Sequence, residues 1–162
     1  MNPPITPSGS TDFNFFPGHW QVAHRRLRQR LVNSSDWEEF GGSCSVQALL
    51  DGLGNVDDNV IGLPGAPYRA VTLRSYNAAT QQWTIWWLDG RAPGRLDAPM
   101  VGTFKDGVGT FYGDDTLDGK PIKLRFLWTM AQPDVPRWEQ AFSADGGASW
   151  ETNWVMTFTR AG

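Results

Sequence analysis

Strand-like alternation broken by turn signals runs through almost the whole chain, and no convincing helical period replaces it. The first strand-like run goes from about His19 to Leu31, where "NSSD" breaks it. The runs "WEEFGGSCSVQALL", "NVDDNVIGL", "YRAVTLRSY", "WTIWWLDG", "MVGTF", "VGTFYG", "IKLRFLWTM", "RWEQAFS" and "WETNWVMTFTR" follow. Between them stand "DGLGN", "PGAP", "NAATQQ", "RAPGRLDAP", "KDG", "DDTLDGKP", "AQPDVP" and "ADGGAS", all rich in residues that turn a chain. That pattern predicts an all-β fold of about ten short strands in simple up-and-down order. A single closed antiparallel barrel fits it best, because closure removes the exposed edges an open sheet must protect. A barrel of that size has interior room for a ligand.

The length of 162 residues suits one domain. Residues 1–12, "MNPPITPSGSTD", are expected to be a mobile tail, and residues 13–162 the barrel. The tail lacks an apolar core and does not read as a signal peptide. Cys44 is the one cysteine, so no internal disulfide calls for an oxidising compartment, and the cytoplasm is the expected location. No apolar run approaches the ~18 residues of a membrane helix, so no membrane insertion is expected. A net charge of −3 gives no general support to nucleic-acid binding.

Alternation then sorts side chains. Trp20, Val22, His24, Arg26 and Arg28 share one face of the first strand, with Trp20 as its inward anchor. His24 and Arg26 are therefore expected inside. They read either as a site, with Arg26 fixing an anionic or carbonyl oxygen and His24 moving a proton, or as an internal pair satisfied by Glu38 or Glu39. Glu39 alternates with Trp37 and Gly41, which makes it the better inward acid. Tyr68, Thr72, Arg74 and Tyr76 share a face, so Arg74 is a second cation for a ligand's polar end. Trp83 and Trp87 face one way and Trp86 the other. Nine Trp exceed the needs of packing, and Trp87, Trp128 and Trp138 are expected to line a cavity, with Tyr112 at its rim. An outward Trp86 suggests a homodimer interface. "GNVDDN" and "YGDDTLDG" lack EF-hand spacing and read as solvated turns, and no metal site is expected. "SADGGASW", Ser143 to Trp150, fits an Asp-box hairpin whose meaning is structural.

Gly18-x-Trp20 at the start of the first strand, with Arg160 ending the last, resembles the calycin superfamily of lipocalins, fatty-acid-binding proteins and relatives. In that group the Trp sits at the barrel base and the Arg packs across it. The stretches "HRRLRQRL", "DWEEFGG", "GLGNVDD", "GVGTFYGDDTLDGKPI" and "RWEQAFSADGGASWETNW" resemble a bacterial family of lipocalin-like domains of unknown function, from Phe13 to Arg160. The resemblance implies the barrel and the Trp20–Arg160 stack, and leaves function open. The chain departs from the group in lacking paired cysteines, a "TDY" triplet and a helical pair, so the barrel is expected to be open at the end where "NSSD" joins the first two strands. Haem-binding relatives use a histidine near the C-terminus, whereas His19 and His24 both lie in the first strand. Neither haem nor any other cofactor is expected.

The functional expectation is binding of a small hydrophobic or amphipathic molecule, acidic or carbonyl-bearing, in the lumen. Two other classes remain open: a cofactor-free isomerase, cyclase, hydratase or lyase using His24 in the same cavity, and a protein-interaction module.

Overall fold

The structure, a computed structural model, describes residues 9–161. Ten strands follow one another: β1 (Gly18–Leu27), β2 (Trp37–Leu49), β3 (Gly54–Ile61), β4 (Tyr68–Asn77), β5 (Gln82–Asp89), β6 (Met100–Lys105), β7 (Val108–Leu117), β8 (Lys120–Gln132), β9 (Val135–Ser143) and β10 (Glu151–Arg160). A single 3-10 turn, Leu50–Gly52, joins β2 to β3. Each strand pairs antiparallel with the next, and β1 pairs with β10, so the sheet closes into an up-and-down barrel with no free edge. No helix among the described residues is long and apolar enough to cross a membrane.

The alternation seen in the sequence holds at the closing seam. Trp20, Val22 and His24 of β1 and Trp154, Met156 and Phe158 of β10 are buried, while Gln21, Ala23 and Arg25 are exposed. Antiparallel order sends connections alternately to the two ends. One end, the base, holds the start of β1, the end of β10 and the short turns at 106–107 and 133–134. The other end, the mouth, holds the two longest connections, 28–36 and 90–99.

An aromatic plug closes the base. Phe13 and Phe16 are fully buried. Phe13 meets Trp83 and Phe104 edge-on, each at 4.9 Å, and Phe16 meets Trp128 at the same distance. Trp20 donates its Nε1–H to the carbonyl of Phe16 at 2.8 Å. Above Trp20 lies the Arg160 guanidinium, its Cζ 4.1 Å from the ring centroid. Arg160 also donates to the carbonyls of Pro17 (3.0 Å) and Phe15 (2.9 Å) and meets Asp134 at 3.3 Å. The expected stack is present, and it ties the plug to both ends of the chain.

Two boundaries differ from expectation. Residues 9–12, read as tail, pack against the base: Ser10 is buried and the Gly9 carbonyl accepts from Trp83 Nε1 at 3.0 Å. Once Phe13 enters the base, the chain before it must cross the floor. Residues 1–8 lie outside the described residues. β1 stops at Leu27 rather than Leu31, because positive φ at Leu31 (60°) and Asn33 (57°) curls the chain, and the Arg28 N–H then bonds the Asp36 carbonyl at 3.0 Å.

The Asp-box forms as read. Asp145 accepts from the Ser149 N–H (2.9 Å), the Ser149 hydroxyl (2.5 Å) and the Ser143 hydroxyl (2.7 Å), which hold its carboxyl well below the usual carboxylate range.

Gly18 has φ 132°, and a Cβ there would stand 2.6 Å from Arg160 Nη1. We expect Gly18→Ala to cost about 1–3 kcal/mol in urea melts. In an Arg160→Ala background it should cost measurably less, because the obstructing group is gone.

Candidate functional site

The barrel encloses a cavity of about 200 Å³ that runs from the plug to the mouth. That is below the roughly 300–1,000 Å³ of pockets that take drug-sized molecules. Its walls are aromatic: Trp138 meets Trp154 edge-on at 5.4 Å and Phe126 at 4.9 Å, and Trp87 approaches Trp154 at 6.3 Å. Trp128 closes the lower end, 5.6 Å from Phe158. The expectation that Trp87, Trp128 and Trp138 line the interior agrees with these positions. Trp86 lies outward, opposite Leu73 in the β4–β5 register.

Four arginines line the cavity, and they fall into two kinds. Arg74, near the floor, is 4% exposed and engaged through both terminal nitrogens, while its Nε is buried without a hydrogen-bond partner. It meets Asp57 at 2.8 Å, donates to Asn55 Oδ1 at 2.8 Å and lies within 5.1–5.5 Å of the Phe13, Phe16 and Trp128 rings. Asp57 accepts further bonds from the Thr72 N–H (3.0 Å) and Asn59 Nδ2 (2.5 Å). Arg74 therefore already has a carboxylate partner of its own. The reading of "GNVDDN" as a solvated turn needs correcting. Asn55, Asp57 and Asn59 point inward and are buried, and only Asp58 reaches solvent, where it pairs with Arg69 at 2.6 Å. Arg91, at the mouth, is likewise engaged: it binds Asp89 through two hydrogen bonds of 3.0 and 2.8 Å and stacks 3.6 Å over the Tyr68 ring.

Arg26 and Arg30 are of the other kind. Among the described residues neither forms a salt bridge, which sets them apart from Arg74 and Arg91; the Nε of each, like that of Arg74, is buried without a hydrogen-bond partner. Arg26 rests on the Trp154 ring, 4.6 Å from its centroid. Burial disfavours the charged form of both, and Arg26 adds its repulsion to Arg30. Because β1 stops at Leu27, Arg30 is carried into the mouth on the 28–36 loop. Tyr68 lies beside them, its hydroxyl held protonated to higher pH by burial.

Glu39 and Tyr112 lie elsewhere than expected. Glu39 is on the outer face and 3.7 Å from Arg25. Trp37 is outward too, under the Arg25 guanidinium at 4.1 Å, so alternation from Trp37 led to the wrong acid. Glu38 is the inward one of the pair, and it meets Arg28 at 3.5 Å. Tyr112 is 53% exposed and packs on Trp150 outside the barrel.

His24 is buried in the wall and does not line the cavity. It stacks on Phe40 at 4.7 Å, and its Nδ1 accepts the Trp154 Nε1–H at 3.1 Å. Burial, with Arg26 nearby, pushes its pKa down to about 4. His24 is thus a neutral acceptor that orients Trp154. Cys44 is buried as well, and burial raises its thiol pKa, so it is inert as a nucleophile. Among the described residues no cluster of His, Cys, Asp and Glu is placed to hold a metal.

Three of the main wall features were hard to read in advance. Arg30 sits in a segment that read as the end of the first strand, Arg91 in one that read as a loop, and Asp57 in one that read as a turn. The one available signal was the Asn55, Asp57, Asn59 alternation, which puts all three on one face.

No protein-family model matches the chain, and no curated protein matches it in sequence. The closed ten-stranded barrel is compatible with a calycin-like fold.

Two stability tests follow from these contacts. Removing one partner of the floor pair, by Arg74→Met or Asp57→Leu, should cost about 3–5 kcal/mol, whereas the double change should be far milder in the same melts. For His24, the unfolded chain takes up a proton near pH 6.5 and the folded one only near 4. Stability is therefore full above about 6.5 and falls as pH drops toward 4, by roughly 3 kcal/mol over the window. His24→Gln should flatten that slope between pH ~6.5 and ~5, measured by urea titration at each pH.

Proposed function

We propose that this barrel binds a small amphipathic molecule in its lumen, with an acidic or carbonyl-bearing end held by Arg26 at the mouth. The observation that carries this reading is the state of Arg26. A guanidinium in the cavity wall, partly desolvated and without a salt bridge although Glu38 stands across from it on β2, is costly in the empty protein and suited to an anion. The apolar body of the ligand would lie against Trp87, Trp138, Trp154 and Phe126, which offer flat faces below that charge. The cavity volume favours an aromatic or short-chain acid over a long fatty acid. Gly18-x-Trp20 under Arg160 supports kinship with the calycins, whose fold is known as a carrier of small apolar molecules. The position of His24, outside the cavity with its Nδ1 engaged, favours binding over proton-transfer catalysis at that residue.

Thermal melts and tryptophan fluorescence with a panel of aromatic and short-chain acids test the reading. Arg26→Leu should leave the empty protein as stable as wild type or more so, and weaken acid binding at least about tenfold. A destabilised Arg26→Leu variant, together with no acid that shifts the wild-type melt, would mean that the arginine is structural.

A further inference from the structure

We infer that the mouth is a two-guanidinium clamp, Arg26 with Arg30, built for a head group carrying two negative charges, such as a phosphomonoester or phosphonate. The inference rests on the Arg26 reading above and adds the second arginine and the charge of the ligand.

Arg30 reaches the cavity by design of the backbone. The 28–36 loop is tied across its neck by the Arg28 N–H to the Asp36 carbonyl, and to β10 by the Leu31 N–H donating to Glu151 Oε1 at 2.7 Å. With Leu31 at φ 60°, the loop turns back over the mouth and lays Arg30 beside Arg26. Of the four arginines lining the cavity, Arg74 and Arg91 hold carboxylates, and Arg26 and Arg30 hold none among the described residues. Two like charges at one partly dry end repel each other and are poorly solvated, and the nearby Glu38 offsets this only in part, so the empty mouth is destabilised by them. A monoanion compensates only one of them. A dianion with several acceptor oxygens compensates both, and guanidinium forks match such oxygens.

The rest of the mouth is consistent with that placement. Glu38 on β2 is drawn toward Arg28, and Asp89 on β5 is neutralised by Arg91. Tyr68 at the start of β4 stays a neutral hydroxyl. The remaining carboxylates, Asp97, Asp114 and Asp115, lie on the wall formed by β7 and the 90–99 loop, which β8, β9 and β10 separate from β1. Asp114 is held by Lys123, and Asp97 stands 3.9 Å from Arg95. These acids repel an anion from their own wall and leave the β1 side as its place.

Calorimetric titration with phenyl phosphate and with benzoate at about pH 8 tests the clamp, since the second phosphate proton leaves near pH ~6. Wild type should bind phenyl phosphate at least about tenfold more tightly than benzoate. Arg30→Gln should bring phenyl phosphate down to the benzoate level and change benzoate by less than about twofold, while its empty melt is no lower than wild type. Lowering the pH to ~5 should shrink the phenyl phosphate advantage in wild type but not in Arg30→Gln, which controls for titration of Asp97. Equal, Arg26-dependent binding of both probes would overturn the clamp and leave the single-arginine site standing. Arg30→Gln weakening both probes alike would also overturn it. Binding of neither probe would sink the clamp and the Arg26 site together.

Discussion

Pairing of β1 with β10 sets Trp20 opposite Arg160, and the barrel depends on what gathers at that point. The guanidinium stacks on the indole, bonds the two carbonyls just before β1 and reaches the β8–β9 turn through Asp134. One side chain thereby joins the last strand, the first strand, the plug and a base turn. With the base sealed, Phe13 and Phe16 can fill it, and the interior above them becomes a cavity that runs from this floor to the mouth. Gly18 is the local price of this contact, since no Cβ fits beside the arginine.

The interior then divides by how its charges are satisfied. Near the floor Arg74 is surrounded by rings and bound to Asp57 and Asn55, and Asp57 is itself saturated by Thr72 and Asn59. Such a network ties strands β3 and β4 together and gives the Arg74 charge a carboxylate of its own. Near the mouth the arrangement is reversed. Arg91 is fixed by Asp89 and Tyr68, whereas Arg26 and Arg30 share the remaining space without acids of their own. His24 contributes at one remove: as a neutral acceptor it sets the orientation of Trp154, the ring on which Arg26 lies. Charge left without a salt bridge at the mouth, beside the aromatic wall, is the feature on which the proposal of an amphipathic ligand rests.

Much of the fold was legible because strand alternation is a local property. Ten runs and their turns appear in order, and the inward sets Tyr68, Thr72, Arg74, Tyr76 and Trp154, Met156, Phe158 are where period two puts them. The errors arose where one reference residue decided the phase. Glu39 shares a face with Trp37 and Gly41, as alternation says, but that face is the outer one, where Arg25 covers Trp37, and Glu38 is the acid that goes in. Tyr112 faces out for a similar reason, finding Trp150 of the Asp-box hairpin as its cover. The polar run around Asp57 resembled a turn because its buried partner, Arg74, lies on the next strand.

The sequence by itself determined the all-β class, the order and approximate number of strands and the inward position of Arg26, because each follows from backbone periodicity and turn chemistry within a few residues; the Trp20–Arg160 contact was implied only by the resemblance to the calycins. Only the tertiary structure decided which charges are paired. Register between β3 and β4 sets Arg74 against Asp57, the turn after β5 folds Arg91 back onto Asp89 and over the Tyr68 ring, and the loop after a shortened β1 folds Arg30 back beside Arg26. Partnership between charges is a matter of distance and desolvation in three dimensions, and no local pattern encodes it.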